Sequence, residues 1–324
     1  MGKPLRPGFL KSRNMSLNIN SSANWMAQME NKLKNLTLRQ VAYPGTHDSG
    51  TFGITENSDF SPDAPDFVKK IQNIPFIGQE VKKIVSGWAR AQGNDWATQL
   101  NDGIRYLDIR TCLNTSDNKL YIVHGMYGGL VDDMISAVAQ FITANPKEII
   151  LLDFNHFYAM TNTAHQSLVN KLISTFGSKI IPSSVGVTGK VSDVWNNGQQ
   201  VIIFYDDSTM VSSHPELWPE STISSPWPNV TTVDDLKTKL DAEVANIPQN
   251  QFFVLQGILT EDGKIIAEGF IPGFPSTLEE YEKDTSPAVL GWIQSDWSSV
   301  GLNIVILDWY QNTPNYLDVM KSII

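Results

Sequence analysis

Residues 131–153 read VDDMISAVAQFITANPKEIILLD. Val131, Ile135, Val138 and Ile142 recur at spacings of three and four, which is one face of a helix. Asn145-Pro146 ends it, because proline lacks the N–H and its ring clashes with the turn before it. Ile149 to Leu152 then runs apolar without alternation and closes on Asp153. A short, continuously apolar strand directly after an amphipathic helix is covered on both faces, as in a parallel βα unit.

The same unit recurs along the chain. Further strand-like runs are Tyr106 to Ile109, Tyr121 to Val123, Val201 to Tyr205, Phe252 to Leu255 and Ile304 to Leu307, with a first strand expected near Val41 and Ala42. His165 to Phe176 has helical periodicity with Gly177 as its cap, and Asp234 to Val244 and Pro314 to Ile323 are further helix candidates. This alternation predicts an α/β fold in which seven or so parallel strands make a closed or nearly closed barrel. Groups at the C-terminal ends of such strands converge on one mouth. His47, Arg110, His124, Asp153 and Asp308 all stand at or just after the end of an apolar run, so one cavity is expected to receive them. A local alternative for Asp153 and Asp308 is a helix N-cap or a rim salt bridge.

A chain of 324 residues with 41% hydrophobic and 18% charged residues can bury a large core. The formal net charge of -10 argues against a nucleic-acid partner and against general attraction to anionic membranes. The lone cysteine, Cys112, excludes an intrachain disulfide. No apolar run reaches about 18 residues, so no membrane span is expected. The segment Met1 to Gly8 lacks the apolar core of a signal peptide, and Arg6 stands where a myristoylation signal wants Ser or Thr. Residues 1–20 read as a flexible tail and 21–324 as one barrel domain. A monomer is expected, either cytoplasmic or secreted after processing.

Two of the five histidines lie in glycine-flanked turns about 77 residues apart, His47 in Gly45-Thr46-His47-Asp48-Ser49-Gly50 and His124 in Val123-His124-Gly125. Between them Gly103 to Arg110 is a strand-like run that ends in a charge. Phosphodiester cleavage asks for this set: one imidazole to take a proton from the attacking hydroxyl, one to protonate the leaving oxygen, and a guanidinium for the phosphoryl oxygens. The bland reading of either histidine alone is a hydrogen-bonding loop residue.

The segments Gly45 to Ser49, Gln99 to Arg110, Val123-His124-Gly125 and Asn145 to Ile150, in this order and spacing, resemble the X region of phosphatidylinositol-specific phospholipase C, in its small X-domain-only and bacterial forms. The match covers roughly residues 38 to 158 and weakens towards Val305-Ile306-Leu307-Asp308. The resemblance implies an irregular TIM barrel. It also implies His47 as the base for the inositol 2-hydroxyl, His124 as the acid for the diacylglycerol oxygen, and Arg110 on a phosphate oxygen. Asp308 would orient His47, and Asp48 would do the same for His124. The first product would be a cyclic 1,2-phosphodiester, with slow hydrolysis after it.

Calcium-dependent relatives carry acidic residues at alternate positions of the second strand and Asn after the first His. Here the corresponding residues are Asp108, Arg110 and Asp48. A guanidinium in a cation site repels the ion, so the expectation is metal-independent catalysis with no cofactor. Bacterial relatives hold the inositol ring with basic residues after the fourth and fifth strands. This chain has Asp153-Phe154-Asn155-His156 and Tyr205-Asp206-Asp207 there. Asp153, Asn155, His156 and Tyr205 are therefore the expected partners of the head-group hydroxyls; for His156 a structural role capping the turn stays open.

Residues 55–95 break the βα rhythm. Phe67 to Trp88 interleaves Lys69, Lys70, Lys82 and Lys83 with apolar residues and would sit at the barrel rim. It is either an interfacial element touching a membrane transiently or a helix packed on the barrel with solvated lysines. Residues 208–232, with Trp218 and Trp227, are a second irregular stretch. Two other functions remain open: a metal-dependent glycerophosphodiesterase or sphingomyelinase D-like enzyme, and a non-catalytic barrel that binds inositol lipids or phosphates.

Overall fold

A computed structural model describes residues 22–64, 78–269 and 271–324. The expected tail and residues 65–77, which include Phe76 and Ile77, lie outside them.

The strands are β1 (Tyr43–Thr46), β2 (Tyr106–Asn114), β3 (Lys119–Val123), β4 (Tyr127–Leu130), β5 (Ile150–Tyr158), β6 (Val201–Tyr205), β7 (Trp218–Pro219), β8 (Ile223–Ser224), β9 (Phe252–Gln256) and β10 (Ile304–Leu307). Eight of them form a nearly closed parallel barrel in the order β7-β6-β5-β2-β1-β10-β9-β8. Among the described residues no ladder joins β7 to β8, so the seam lies there. Period-two alternation divides the side chains. Val201, Ile203 and Tyr205 of β6 pack outward under the helices, while Ile202 and Phe204 point into the barrel with Tyr106, Leu151, Val254 and Ile306. Short helices Trp25–Gln28 and Glu30–Leu33 close the opposite end from the strand C-termini. There Trp25 Nε1 donates to the Gly103 carbonyl at 3.1 Å, and Glu148 accepts from Ala27 N–H and pairs with the buried Arg105.

Several local expectations stand. The helix Val131–Ala144 has the expected bounds, as do β6 and β10. The helix Asn162–Phe176 ends on Gly177 at φ +48°, a conformation that costs glycine least. Four expectations need correction. The apolar runs Tyr106 to Ile109 and Ile149 to Leu152 do not end their strands, since β2 continues to Asn114 and β5 to Tyr158. The first strand is Tyr43–Thr46, just after Val41 and Ala42. Local propensity hides it behind Pro44 and Gly45, yet Gly45 is needed, since a Cβ would sit 2.9 Å from both Ile306 and Tyr106. The run around Tyr121 to Val123 is not a barrel strand; β3 folds back antiparallel on the long end of β2 and continues into β4. The irregular stretch at 208–232 contains β7 and β8, each two residues long and too short to show periodicity, which bring the barrel close to closure.

The helix Gly78–Ala89 buries Val81, Val85, Trp88 and Ala89 against Ile54, Met126 and Leu278, and leaves Lys83 exposed. This part of the rim is the packed helix, not an apolar loop. Among the described residues no helix is long and apolar enough to cross a membrane.

Candidate active site

His47 follows β1, and its ring is held from behind. Asp308, just past β10, stands 2.8 Å from Nδ1, and the Gln92 amide donates to both the His47 and Leu307 carbonyls at 2.9 and 2.8 Å. Nδ1–H therefore donates to Asp308, and Nε2 faces the cavity. Asp48 has φ +42°, a left-handed conformation costly for a residue with a Cβ, and its N–H donates to Asp108 Oδ2 at 2.9 Å. That turn brings its buried carboxylate back towards the cavity. Asp48 Oδ2 lies 3.2 Å from His47 Nε2 and 3.6 Å from His124 Nε2, and Oδ1 lies 2.9 Å from Arg110 Nε.

His124 arrives on the β3–β4 hairpin and not on a barrel strand. The hairpin is clamped to the loop after His47 by close backbone packing, with Gly129 N–H donating to the Gly50 carbonyl at 3.1 Å. A Cβ on Gly53 would meet Gly129 N at 2.9 Å. His124 Nδ1–H donates to the Ala89 carbonyl at 3.1 Å, so its Nε2 is the edge turned inward. The two rings are 6.2 Å apart between centroids, at 72°. Arg110 Nη2 is 3.1 Å from His47 Nε2.

A β-bulge sets the other wall. β2 and β5 pair Asp108 with Asp153 and Ile109 with Phe154, and then Arg110 with His156, so Asn155 is the extra residue. The bulge turns Asn155 and His156 both towards the cavity, where strict alternation would send one of them outward. Asn155 Nδ2 donates to Asp108, and Tyr106 donates to Asp153. His156 is exposed, with Nδ1 2.9 Å from Asn155 Oδ1. Tyr205 borders an acidic cavity, but not with its hydroxyl. Its side chain points to the outer layer and its hydroxyl meets His165 Nδ1 at 2.8 Å, so it is not offered to a head group.

Electrostatics follow from this packing. Burial works against charge on His47, but Asp48 and Asp308 outweigh it and push the imidazole up to about 10. Burial would raise Asp48, yet Arg110 and then His47 and His124 hold it down at about 2. Burial pushes Asp153 up to about 7 against its hydrogen bond from Tyr106, with Asp108 adding to the rise. His47, Asp48 and Asp108 present donor atoms within 4.8 Å of one another. A divalent cation does not fit among them. The Arg110 guanidinium already stands against Asp48 and His47, and Asp108 uses its oxygens on the Asp48 amide and Asn155.

Two cavities meet at this cluster, and Arg110 and Trp227 line both. One, of about 300 Å³, holds His47 and His124 against an apolar wall of Val85, Trp88, Leu259 and Ile266. The other, of about 310 Å³, enters the barrel and is acidic, lined by Asp108, Asp153, Asp206 and Glu220. Such an arrangement can hold a phosphodiester at the junction, with a polar substituent on one side and an apolar one on the other. Sequence reasoning missed Gln92, Asp206, Glu220, Trp227 and Glu261. Of these only Asp206, directly after the apolar run of β6, carried the run-end signal that marked Asp153.

The family model "Phosphatidylinositol-specific phospholipase C, X domain" matches residues 64–206. PI-PLC X domain-containing protein 2 of Mus musculus is 34% identical over 315 residues, 95% of this chain and 90% of that protein. PI-PLC X domain-containing protein 3 of Homo sapiens is 31% identical over 293 residues, 89% of each. In structure, the phosphatidylinositol-specific phospholipase C of Listeria monocytogenes matches with TM-score 0.62 at 17% identity, over 92% of this chain and 98% of that one. The Staphylococcus aureus enzyme matches with TM-score 0.63 at 16% identity, over 92% and 97%. These two share the barrel fold.

Proposed function

Because the chain belongs to the phosphatidylinositol-specific phospholipase C X-domain family, we propose that it is a phosphodiesterase that cleaves phosphatidylinositol-type lipids to diacylglycerol and a cyclic inositol phosphate. One observation carries the reading: two imidazoles 6.2 Å apart, with Arg110 beside them, at the junction of an acidic and an apolar cavity. Neutral His47 takes the proton of the head-group hydroxyl next to the phosphate, and that oxygen attacks phosphorus. The bond to the lipid alcohol breaks, and protonated His124 gives its proton to the departing oxygen. Arg110 faces a non-bridging oxygen and supplies the positive charge that a metal would otherwise bring. Asp308 fixes the His47 tautomer.

The head group enters the acidic cavity, where Asp153, Asn155 and His156 meet its hydroxyls. Among the described residues Arg110 is the one Lys or Arg lining this cavity, and it is already engaged by the scissile phosphate. The favoured head group is therefore a polyol without further phosphates. The acyl side leaves over the apolar wall. Trp227, Ile271 and Phe274, 60%, 52% and 48% exposed, supply apolar surface for transient contact with a bilayer.

A second reading, a barrel that binds such lipids without cleaving them, is favoured by the carboxylates that keep His47 charged, since a cationic His47–Arg110 pair suits anion binding. Incubation with a phospholipid panel in excess chelator separates the two. A five-membered cyclic phosphate in the phosphorus NMR spectrum is the expected product. Vesicle binding with no water-soluble phosphate from any lipid would leave the binding reading.

A further inference from the structure

Three ionisable side chains in the catalytic cavity, Asp63, Tyr158 and Glu261, have no part in the cleavage step. Glu261 lines the same cavity as His47, Arg110 and His124. Its neighbours fix it in place. Thr260 N–H donates to the Val230 carbonyl at 2.7 Å, and the Thr260 hydroxyl accepts Trp227 Nε1 at 2.9 Å. Asp262 caps the helix Gly263–Glu268 by accepting the Lys264 and Ile265 amides. Among the described residues the Glu261 carboxyl accepts only from its own backbone N–H and meets no hydrogen-bond donor of another residue. Burial pushes it up, and the nearby charge of His124 draws it back down.

The wall around it is apolar, with Val85, Trp88, Ala89, Ile258, Leu259 and Ile266. When the lipid alcohol leaves, water takes its place, and a confined water needs two to four polar partners. His124 Nε2 is one. Asp63 is engaged by the Gly125 amide and the Ser61 hydroxyl. Tyr158 and Thr260 offer neutral hydroxyls. Glu261 is the carboxylate left to accept from that water.

We propose that Glu261 orients the water that opens the cyclic product, an assignment that rests on the phosphodiesterase reading above. Glu261 accepts a hydrogen bond from one O–H of the water, which keeps that proton. His124, neutral after the first step, takes the other as the water oxygen bonds to phosphorus. The bond from phosphorus to the former attacking oxygen breaks, and that oxygen receives the proton held by His47. One water is consumed, a phosphomonoester forms, and both histidines return to their starting states.

Both steps can be followed by phosphorus NMR, from the lipid and from purified five-membered cyclic inositol phosphate, in wild type, Glu261→Gln and Glu261→Asp. Glu261→Gln should slow ring opening at least about tenfold more than lipid cleavage, so that cyclic product accumulates. Glu261→Asp, which keeps the charge and withdraws it by one methylene, should show the same bias more weakly. Equal slowing of both steps, or no bias in either variant, overturns the assignment. A wild type that forms no cyclic product from any lipid overturns the phosphodiesterase reading instead.

Discussion

Asp48 Oδ2 lies 3.2 Å from His47 Nε2, on the very next residue of the chain, while its other oxygen holds Arg110. A carboxylate can turn back on the preceding imidazole in this way because Asp48 adopts φ +42°. The same oxygen is 3.6 Å from His124 Nε2, so one anion joins both imidazoles and the guanidinium. Proton transfer at either ring is felt at the other.

Removal of either ring should therefore be severe. His47→Ala and His124→Ala are each expected to cut turnover at least about a thousandfold, within the range of acid–base contributions. Melting temperatures should change little. Retention of more than about a tenth of the wild-type rate by either variant rejects the pair.

The pH profile should carry the mark of Asp308. A base must be neutral, and His47 is pushed up to about 10, so kcat/KM should climb through a limb well above the ordinary histidine value of about 6.5. Asp308→Asn removes one of the two carboxylates and should draw this limb back towards about 6.5. An unmoved limb would mean that another group controls it. In stability the raised value acts below the unfolded pKa and is lost as pH rises through the folded one. The melting deficit of Asp308→Asn should thus be fully present below about pH 6.5 and shrink towards about pH 10.

Chelation should leave activity intact, since Arg110 stands where a cation would be repelled. Arg110→Lys should still lose at least about tenfold in kcat, because a point charge cannot reproduce the guanidinium fork. Calcium stimulation by orders of magnitude would contradict both statements.

Head-group charge should decide substrate choice. Asp206 beside Glu220 raises the latter's carboxyl, a sign of how crowded with negative charge this wall is. Inositol lipids without ring phosphates should be cleaved at least about tenfold faster than their bisphosphorylated counterparts, and added salt should narrow the gap because these carboxylates are exposed. The double variant Asp206→Asn/Glu220→Gln should narrow it too. Equal rates on both lipids in wild type would remove the electrostatic basis for this choice.

At the far end of the barrel, Glu148→Ala should destabilise by about 3–5 kcal/mol in urea unfolding, since it strands the fully buried Arg105 guanidinium. Replacing both partners by Arg105→Met and Glu148→Leu should cost less. A single variant no less stable than the double one would show that Arg105 finds compensation elsewhere.

By itself the sequence determined the fold class, because helices and buried parallel strands are written in local patterns. Val131–Ala144, Val201–Tyr205 and Ile304–Leu307 have the bounds their periodicity and apolar runs predict. Apolar runs that end in His, Arg or Asp also marked His47, Arg110, Asp153 and Asp308, although β2 and β5 continue past Arg110 and Asp153. Tertiary structure alone decided the rest. The run before His124 reads like any other strand, and only its pairing with β2 makes it antiparallel. Tyr205 faces outward because of its parity in β6, whereas Asn155 and His156 both face inward because one bulge breaks that parity in β5. The partnership of His47 and Asp308 spans 261 residues. Such contacts leave no trace in local pattern, since the free energy that fixes them comes from closing the barrel and not from the residues on either side.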